Sequence, residues 1–230
     1  MNPIPGMLRA AGAMAFYDRR QEVAANNMAN VNTAAFKADR ISAARPSDMT
    51  EPIPVEATDF GQGPLRTTAR PLDLALEGQG FLVVDTPNGE RLSRGGSLTL
   101  DGTGQLVVEP GIPVLGERGP IVVTGSGVTI EADGTVLSEG KVLDRLRLVQ
   151  LTEGAVVVKE GNGRFRLDRG EWEPAAELHA RQGQLEEANI DSVNGMIQLV
   201  EIQRAYGAAA TTLKTMDGVL AAITSDLARV

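Results

Sequence analysis

Ala25-Asn26-Asn27-Met28-Ala29-Asn30-Val31-Asn32-Thr33 places four asparagines within seven positions at the end of an apolar, helix-periodic run. Asparagine is a mediocre helix former because its amide competes for the backbone, so a helix that keeps several of them has a use for those amides. Upstream, Met7, Ala10, Met14, Tyr17, Gln21, Ala24, Met28 and Val31 lie alternately three and four residues apart. Only Gln21 in that series is polar. The spacing predicts a helix over Gly6 to Val31 with a coiled-coil seam, about 37 Å long at ~1.5 Å per residue. Asn32-Thr33 supplies a stop, since Asn tolerates the left-handed conformation at a helix end. With Met7, Met14, Gln21 and Met28 at heptad position a, Asn26 falls at f, Asn27 at g and Asn30 at c. All three miss the seam.

Downstream the organisation changes twice. Residues 38–62, with Pro46, Pro52 and Pro54 among small and acidic residues, have no period and read as an irregular connector. Residues 63–170 carry short β-branched runs such as Phe81-Leu82-Val83-Val84, Ile121-Val122-Val123 and Val156-Val157-Val158. Turn signals separate them at Asn88-Gly89, Asp101-Gly102, Asp133-Gly134, Glu139-Gly140 and Asn162-Gly163. Short strands without helical spacers predict an antiparallel all-β domain of barrel or sandwich type. A polar connector follows over 171–184.

Over 185–230 the helical period returns. Met196, Leu199, Gln203, Tyr206, Ala210, Leu213, Asp217, Leu220, Thr224 and Leu227 again alternate three and four. A second row, Ile202, Ala205, Ala209, Met216, Val219 and Ile223, lies beside it, so the apolar face is wider than one partner helix covers, and an uncovered apolar face marks contact with another chain. Ala188-Asn189-Ile190-Asp191-Ser192 offers capping side chains. The fold class is therefore α+β, with N- and C-terminal heptad helices (1–37 and 185–230) paired as a coiled coil around an inserted β domain. In that pairing Gln21 and Gln203 are expected to face each other.

The chain has 230 residues and a net charge of −8, with its basic residues scattered, which argues against nucleic acid as a partner. Five Phe, two Tyr and one Trp are too few for a large aromatic-lined pocket. There is no cysteine, which excludes disulfides and thiolate metal sites. No window approaches the ~20 apolar residues of a membrane span, and no basic n-region with an apolar core opens the chain, so neither membrane insertion nor a cleavable signal peptide is expected.

Catalytic chemistry finds little footing. His179 is the single histidine and sits in a polar stretch. Glu171, Glu173, Glu186 and Glu187 suit solvated surface or helix-dipole positions better than acid–base work. The Gly-x-Gly pairs lead into strands, where a phosphate cradle needs a helix N-terminus, and Asp101-Gly102-Thr103-Gly104 lacks the later bidentate Glu of a calcium loop. The chain is expected not to be an enzyme and to hold no metal or other cofactor, and what remains is interaction surface.

Three stretches, in order along the chain, resemble the motifs of bacterial flagellar axial proteins of the rod and hook. Ala25 to Lys37 resembles their N-terminal motif, and Leu72-Asp73-Leu74-Ala75-Leu76-Glu77-Gly78-Gln79-Gly80-Phe81 their central signature, which Arg94-Gly95-Gly96-Ser97 continues. Ile202-Gln203-Arg204-Ala205-Tyr206 with Lys214-Thr215-Met216-Asp217 resembles the C-terminal motif. Ala35 stands where the family usually has Gly. The compact single β domain resembles a rod protein more than the hook subunit, and Gly119-Pro120-Ile121 followed by Ile130-Glu131-Ala132-Asp133-Gly134-Thr135-Val136 resembles the proximal rod member most. The distal rod member is the close alternative, since Gln203-Arg204-Ala205-Tyr206 resembles it equally well. The resemblance implies a structural subunit exported by the flagellar type III apparatus without a cleavable signal, located in the periplasmic rod. Its terminal helices would assemble helically with other rod subunits and transmit torque. It further implies an interface that includes Asn26, Asn27, Asn30 and Asn32, the small back-face residues Ala11, Ala15, Ala25 and Ala29, and on the C-terminal helix Gln203, Arg204, Tyr206, Leu213, Met216, Val219, Leu220 and Ile223. A reading from another class is a secreted β-domain adhesin or fibre module on a coiled-coil stalk, which predicts a closed oligomer with a ligand-binding head.

Overall fold

The computed structural model describes residues 4–44, 53–125 and 127–227, with the side chains of Ile4, Pro5, Ile223, Asp226 and Leu227 left out. Pro46, Pro52 and the side chain of Ile223, all singled out above, lie outside the described residues. The fold is α+β, and the chain divides into two compact units.

The first unit holds two helices, α1 (Ile4–Ala29) and α2 (Ser192–Leu227), and a two-stranded hairpin of β1 (Asp39–Ala44) and β2 (Ile53–Thr58). Every member of the predicted α1 seam from Met7 to Val31 is buried or half-buried, with Ala10 and the neighbouring Val23 each 8% exposed. On α2 the inward series is Gly195, Leu199, Ile202, Tyr206, Ala209, Leu213, Met216 and Leu220, again in steps of four and three. It takes one position in two from each row seen in the sequence. Met196, Gln203 and Asp217 point outward, so Gln203 does not face Gln21. The cause is close approach. A Cβ at Gly195 would lie 2.6 Å from Met28 Cε, and one at Gly6 3.0 Å from Met216 Cε. Glycine, which scores poorly as core, is what lets methionine in, and these two contacts set α1 and α2 antiparallel.

The β1–β2 hairpin lies where an irregular connector was expected. Its strands pair from Asp39↔Thr58 to Ala44↔Ile53, but nearly every side chain of β2 is exposed, so there is no buried-and-exposed alternation to read. Pro54 is tolerated because a two-stranded ribbon leaves each strand one free edge.

The second unit, residues 32–36 and 60–189, is the antiparallel β region. Its largest sheet runs, in spatial order, Val156–Gly161, Arg164–Arg169, Gly89–Ser93, Phe81–Thr86, Leu148–Leu151 and Trp172–Pro174. Leu74, Leu76, Leu82, Val84, Leu98, Leu106, Val114 and Val136 form one fully buried cluster. Phe81, Phe165 and Phe60 meet edge to face beside a second, with centroids 5.3 to 5.6 Å apart. Asn162-Gly163 and Glu139-Gly140 turn hairpins with positive φ at both residues, as two-residue turns of right-twisted strands require.

The strand content extends past residue 170. Trp172–Pro174, His179–Gln182 and Gln184–Glu186 are strands in a stretch read as a connector and helix start, and α2 begins only at Ser192. These strands take their partners from far upstream, with His179 opposite Glu77 and Glu186 opposite Leu65, so no local pattern announces them.

Candidate assembly interface

The end of α1 shows what its asparagines do within the chain. The helix closes with Asn30 N–H shared between the carbonyls of Asn26 and Asn27 at 3.2 and 3.0 Å, a tightened last turn. Asn30 Nδ2 also donates to the Asn26 carbonyl at 2.9 Å. The Asn27 amide is matched at both ends by one residue of β1: its Nδ2 donates to the Asp39 carbonyl at 2.7 Å, and its Oδ1 accepts from Asp39 N–H at 3.0 Å. The pair works like one rung of a ladder and fixes the hairpin to α1. Asn27 thus acts inside the chain, whereas Asn26 and Asn32 are exposed. On the same helix Arg19 donates to Glu22 at 2.7 Å and to Glu56 of β2 at 2.5 Å. These two carboxylates raise the guanidinium above its ordinary range.

Three faces of α1 therefore differ. One meets α2, one carries the hairpin, and the third is open: Ala11, Ala15, Ala25, Ala29 and Asn26 are all exposed. On α2, Tyr206, Leu213, Met216 and Leu220 belong to the inward series, while Gln203, Arg204 and Val219 are exposed. The helix is capped by Asp191, whose Oδ1 accepts from the N–H groups of Val193 and Asn194 at 2.9 and 3.1 Å.

The outward face of α2 has two features that the sequence reading did not isolate. Val193, Met196, Ile197 and Val200 are 65, 59, 51 and 48% exposed at i, i+3, i+4 and i+7, one continuous apolar face. Further along, Thr211, Thr212, Thr215 and Thr224 each donate their hydroxyl to the carbonyl four residues back, at 2.8 to 2.9 Å. Their polar atoms are thereby satisfied within the helix, and what they offer outward is methyl.

Within the second unit Arg94 and Glu186 form a buried ion pair. All five N–H groups of Arg94 are used. Nε and Nη2 reach Glu186 Oε2 at 3.2 and 3.1 Å, Nη1 reaches the carbonyls of Gly78 and Gly80 at 2.9 and 2.6 Å, and Nη2 that of Leu76 at 3.0 Å. Glu186 Oε1 accepts from Gly63 N–H at 2.8 Å, and the two side chains are 3 and 0% exposed. Ala35 N–H donates to the Glu186 carbonyl at 2.7 Å, and Asn189 N–H to that of Phe36 at 3.3 Å. Ala35 is buried and holds φ 57°, in the left-handed region that favours glycine. Arg94 and Glu186 are 92 residues apart, and neither stands out in the sequence as a pair.

His179 is exposed on its strand. Among the described residues no cluster of His, Asp or Glu is arranged to hold a metal ion, and no helix is long and apolar enough to cross a membrane.

Comparison with known proteins matches all of these regions. Three protein families match in chain order: flagella basal body rod protein at residues 7–37, the flagellar hook protein FlgE/F/G D1 domain at 75–138, and the flagellar basal body rod FlgEFG protein C-terminal region at 181–226. The chain is 34% identical to flagellar basal-body rod protein FlgF of Escherichia coli, covering 90% of this chain and 92% of that protein. It is 33% identical to FlgF of Caulobacter vibrioides over 86% of each. Against flagellar basal-body rod protein FlgG of Bacillus subtilis the identity is 26%, over 89% of this chain and 92% of the relative.

Proposed function

Since this chain belongs to the flagellar basal-body rod protein family, we propose that it is a structural subunit of the proximal part of the rod. The observation that carries the reading is near-full-length similarity to FlgF proteins at 27–34% identity, against 25–26% for the FlgG relatives. Distal placement is the alternative, favoured by those FlgG matches, which span most of the chain.

In this reading α1 and α2 form a short antiparallel coiled coil. The subunit reaches the periplasmic space as a substrate of the flagellar export apparatus and is held there by other rod subunits. Contact between two different surfaces of successive copies does not close on itself and so builds a helical shaft. Well-packed helices compress little and pass torque along it. The interface comprises Asn26, Asn32 and the alanines of the open α1 face, with Gln203, Arg204 and Val219 outward on α2. Asn30, Tyr206, Leu213, Met216 and Leu220 support it from within the helix pair.

The test is deletion of the gene with complementation by a tagged chain. The expected result is loss of swimming on deletion, recovery on complementation, and the tagged chain in purified basal bodies at the base of the rod. Basal bodies that assemble complete rods without the chain would sink the proposal, and a tag found only at the outer end would move it to the distal position.

A further inference from the structure

Among the described residues nothing covers the apolar face at the start of α2, and the charges beside it point to what does. Resting on the rod reading, we infer that the outward face of α2 docks on the open face of α1 of the next copy, antiparallel, in the register used inside the chain. That register sets Gly6 against Met216 and Met28 against Gly195. Carried to the other side of α1, it sets Val193 and Ile197 over Ala29 and Ala25, so large side chains meet small ones. It sets Arg204 over Asp18, and Gly207 and Thr211 over Ala15 and Ala11, where two slender surfaces allow close approach.

Two observations make this register specific. Arg204 and Asp18 are both exposed, and among the described residues neither has a partner in its own copy. They are opposite charges placed to meet. Slipping one turn along α1 in one direction sets Arg204 over Ala15 and leaves both charges without a counterpart. Slipping in the other sets Arg204 over Glu22, which Arg19 already holds. The threonine hydroxyls turned back onto their own helix mean that burial of this face strands few donors. Because the two surfaces differ, each docked copy presents an unused α2 face for another, and the contact propagates.

The natural chain has no cysteine, so introduced thiols report cleanly. Two differently tagged copies are expressed together in flagellated cells, one carrying Ile197→Cys and the other Ala25→Cys, and basal bodies are purified under mild oxidant. A disulfide between the two tags is expected. Replacing the second copy by Ala11→Cys moves the thiol about 21 Å along the helix, beyond disulfide reach, and should abolish the link. Equal linking to both partners, or no link in basal bodies that contain both copies, overturns the inference while the rod reading stands. Absence of both tags from basal bodies removes the rod reading and this contact with it. A charge reversal keeps the question answerable if the thiols disturb folding. Arg204→Asp should cut the number of assembled rods about tenfold or more, and adding Asp18→Arg should restore most of them. No restoration by the second change also overturns it.

Discussion

The β region and the helix pair use the same side-chain types to opposite ends. In the β region Leu74, Leu76, Leu82, Leu92 and Leu98 are wholly buried, and even the Arg94 guanidinium has a partner for every N–H. In the helix pair Val193, Met196 and Ile197 each leave more than half their surface in water. The β region keeps most of its large apolar side chains inside and leaves single ones such as Val142 on its surface, whereas α2 leaves a continuous apolar row uncovered among the described residues. On the reading proposed above, that row is what other subunits cover.

Hydrogen exchange offers the largest separation between them. In a dilute chain, amides of α2 should exchange at least about a hundredfold faster than those of the Phe81–Thr86 and Gly89–Ser93 strands, because only one face of the helix is covered. Equal protection would erase the contrast.

Next in size is the buried pair. Glu186→Ala leaves Arg94 charged and unpaired in the interior, so urea unfolding of the β region should lose about 3–5 kcal/mol. A loss under about 1 kcal/mol would mean that strand pairing alone holds Glu186 in place. Asn27→Ala removes two hydrogen bonds to Asp39 and should cost about 1–2 kcal/mol. The loss should appear as faster exchange in β1 and β2, with the β region unchanged.

Ala35→Gly should be a small gain. Relief of the left-handed strain, about 1–2 kcal/mol, is offset by the larger freedom of glycine in the unfolded chain, about 0.4–1 kcal/mol. A net rise of about 0.5 kcal/mol is expected in the same urea titration, and a fall would show that the Ala35 methyl contributes packing that outweighs the strain.

The smallest effect is acid sensitivity. Asp101 is held below the ordinary carboxylate range first by the Thr103 hydroxyl and then by the Gln105 N–H, and Asp133 first by the Thr135 N–H and then by its hydroxyl. A carboxylate with a depressed folded pKa stabilises fully above its unfolded value and loses that contribution as pH falls through the folded one. Stability should therefore drop slightly on acidification below the ordinary Asp range, and Asp101→Asn with Asp133→Asn should flatten that part of the curve.

Much of this was legible in the residues, and the misses have causes. The α1 seam was plain because apolar residues recur at three- and four-residue steps from Met7 to Val31, broken only by Gln21. On α2 two adjacent apolar rows made the register ambiguous, and the inward choice turned on Gly195, invisible to any hydrophobic count. Tertiary partners decided the rest. β1 and β2 exist because Asn27 and Arg19 hold them to α1, and Trp172–Pro174 because it pairs with Leu148–Leu151. For the interface, small residues on the open α1 face were visible as a pattern. That Asn27 turns inward onto Asp39 was not, because heptad position tells which way a side chain leaves the helix but not what it meets there.

The back-bonded threonines of α2 carry a thermodynamic consequence. That stretch is hydroxyl-rich, yet its threonine hydroxyl donors are already used within the helix. Covering it would release water from methyl groups, a process with a negative heat-capacity change whose driving force near room temperature is entropic. Calorimetry on joining copies should therefore find little heat near room temperature, a steadily more exothermic signal on warming, and a contact that loosens in the cold.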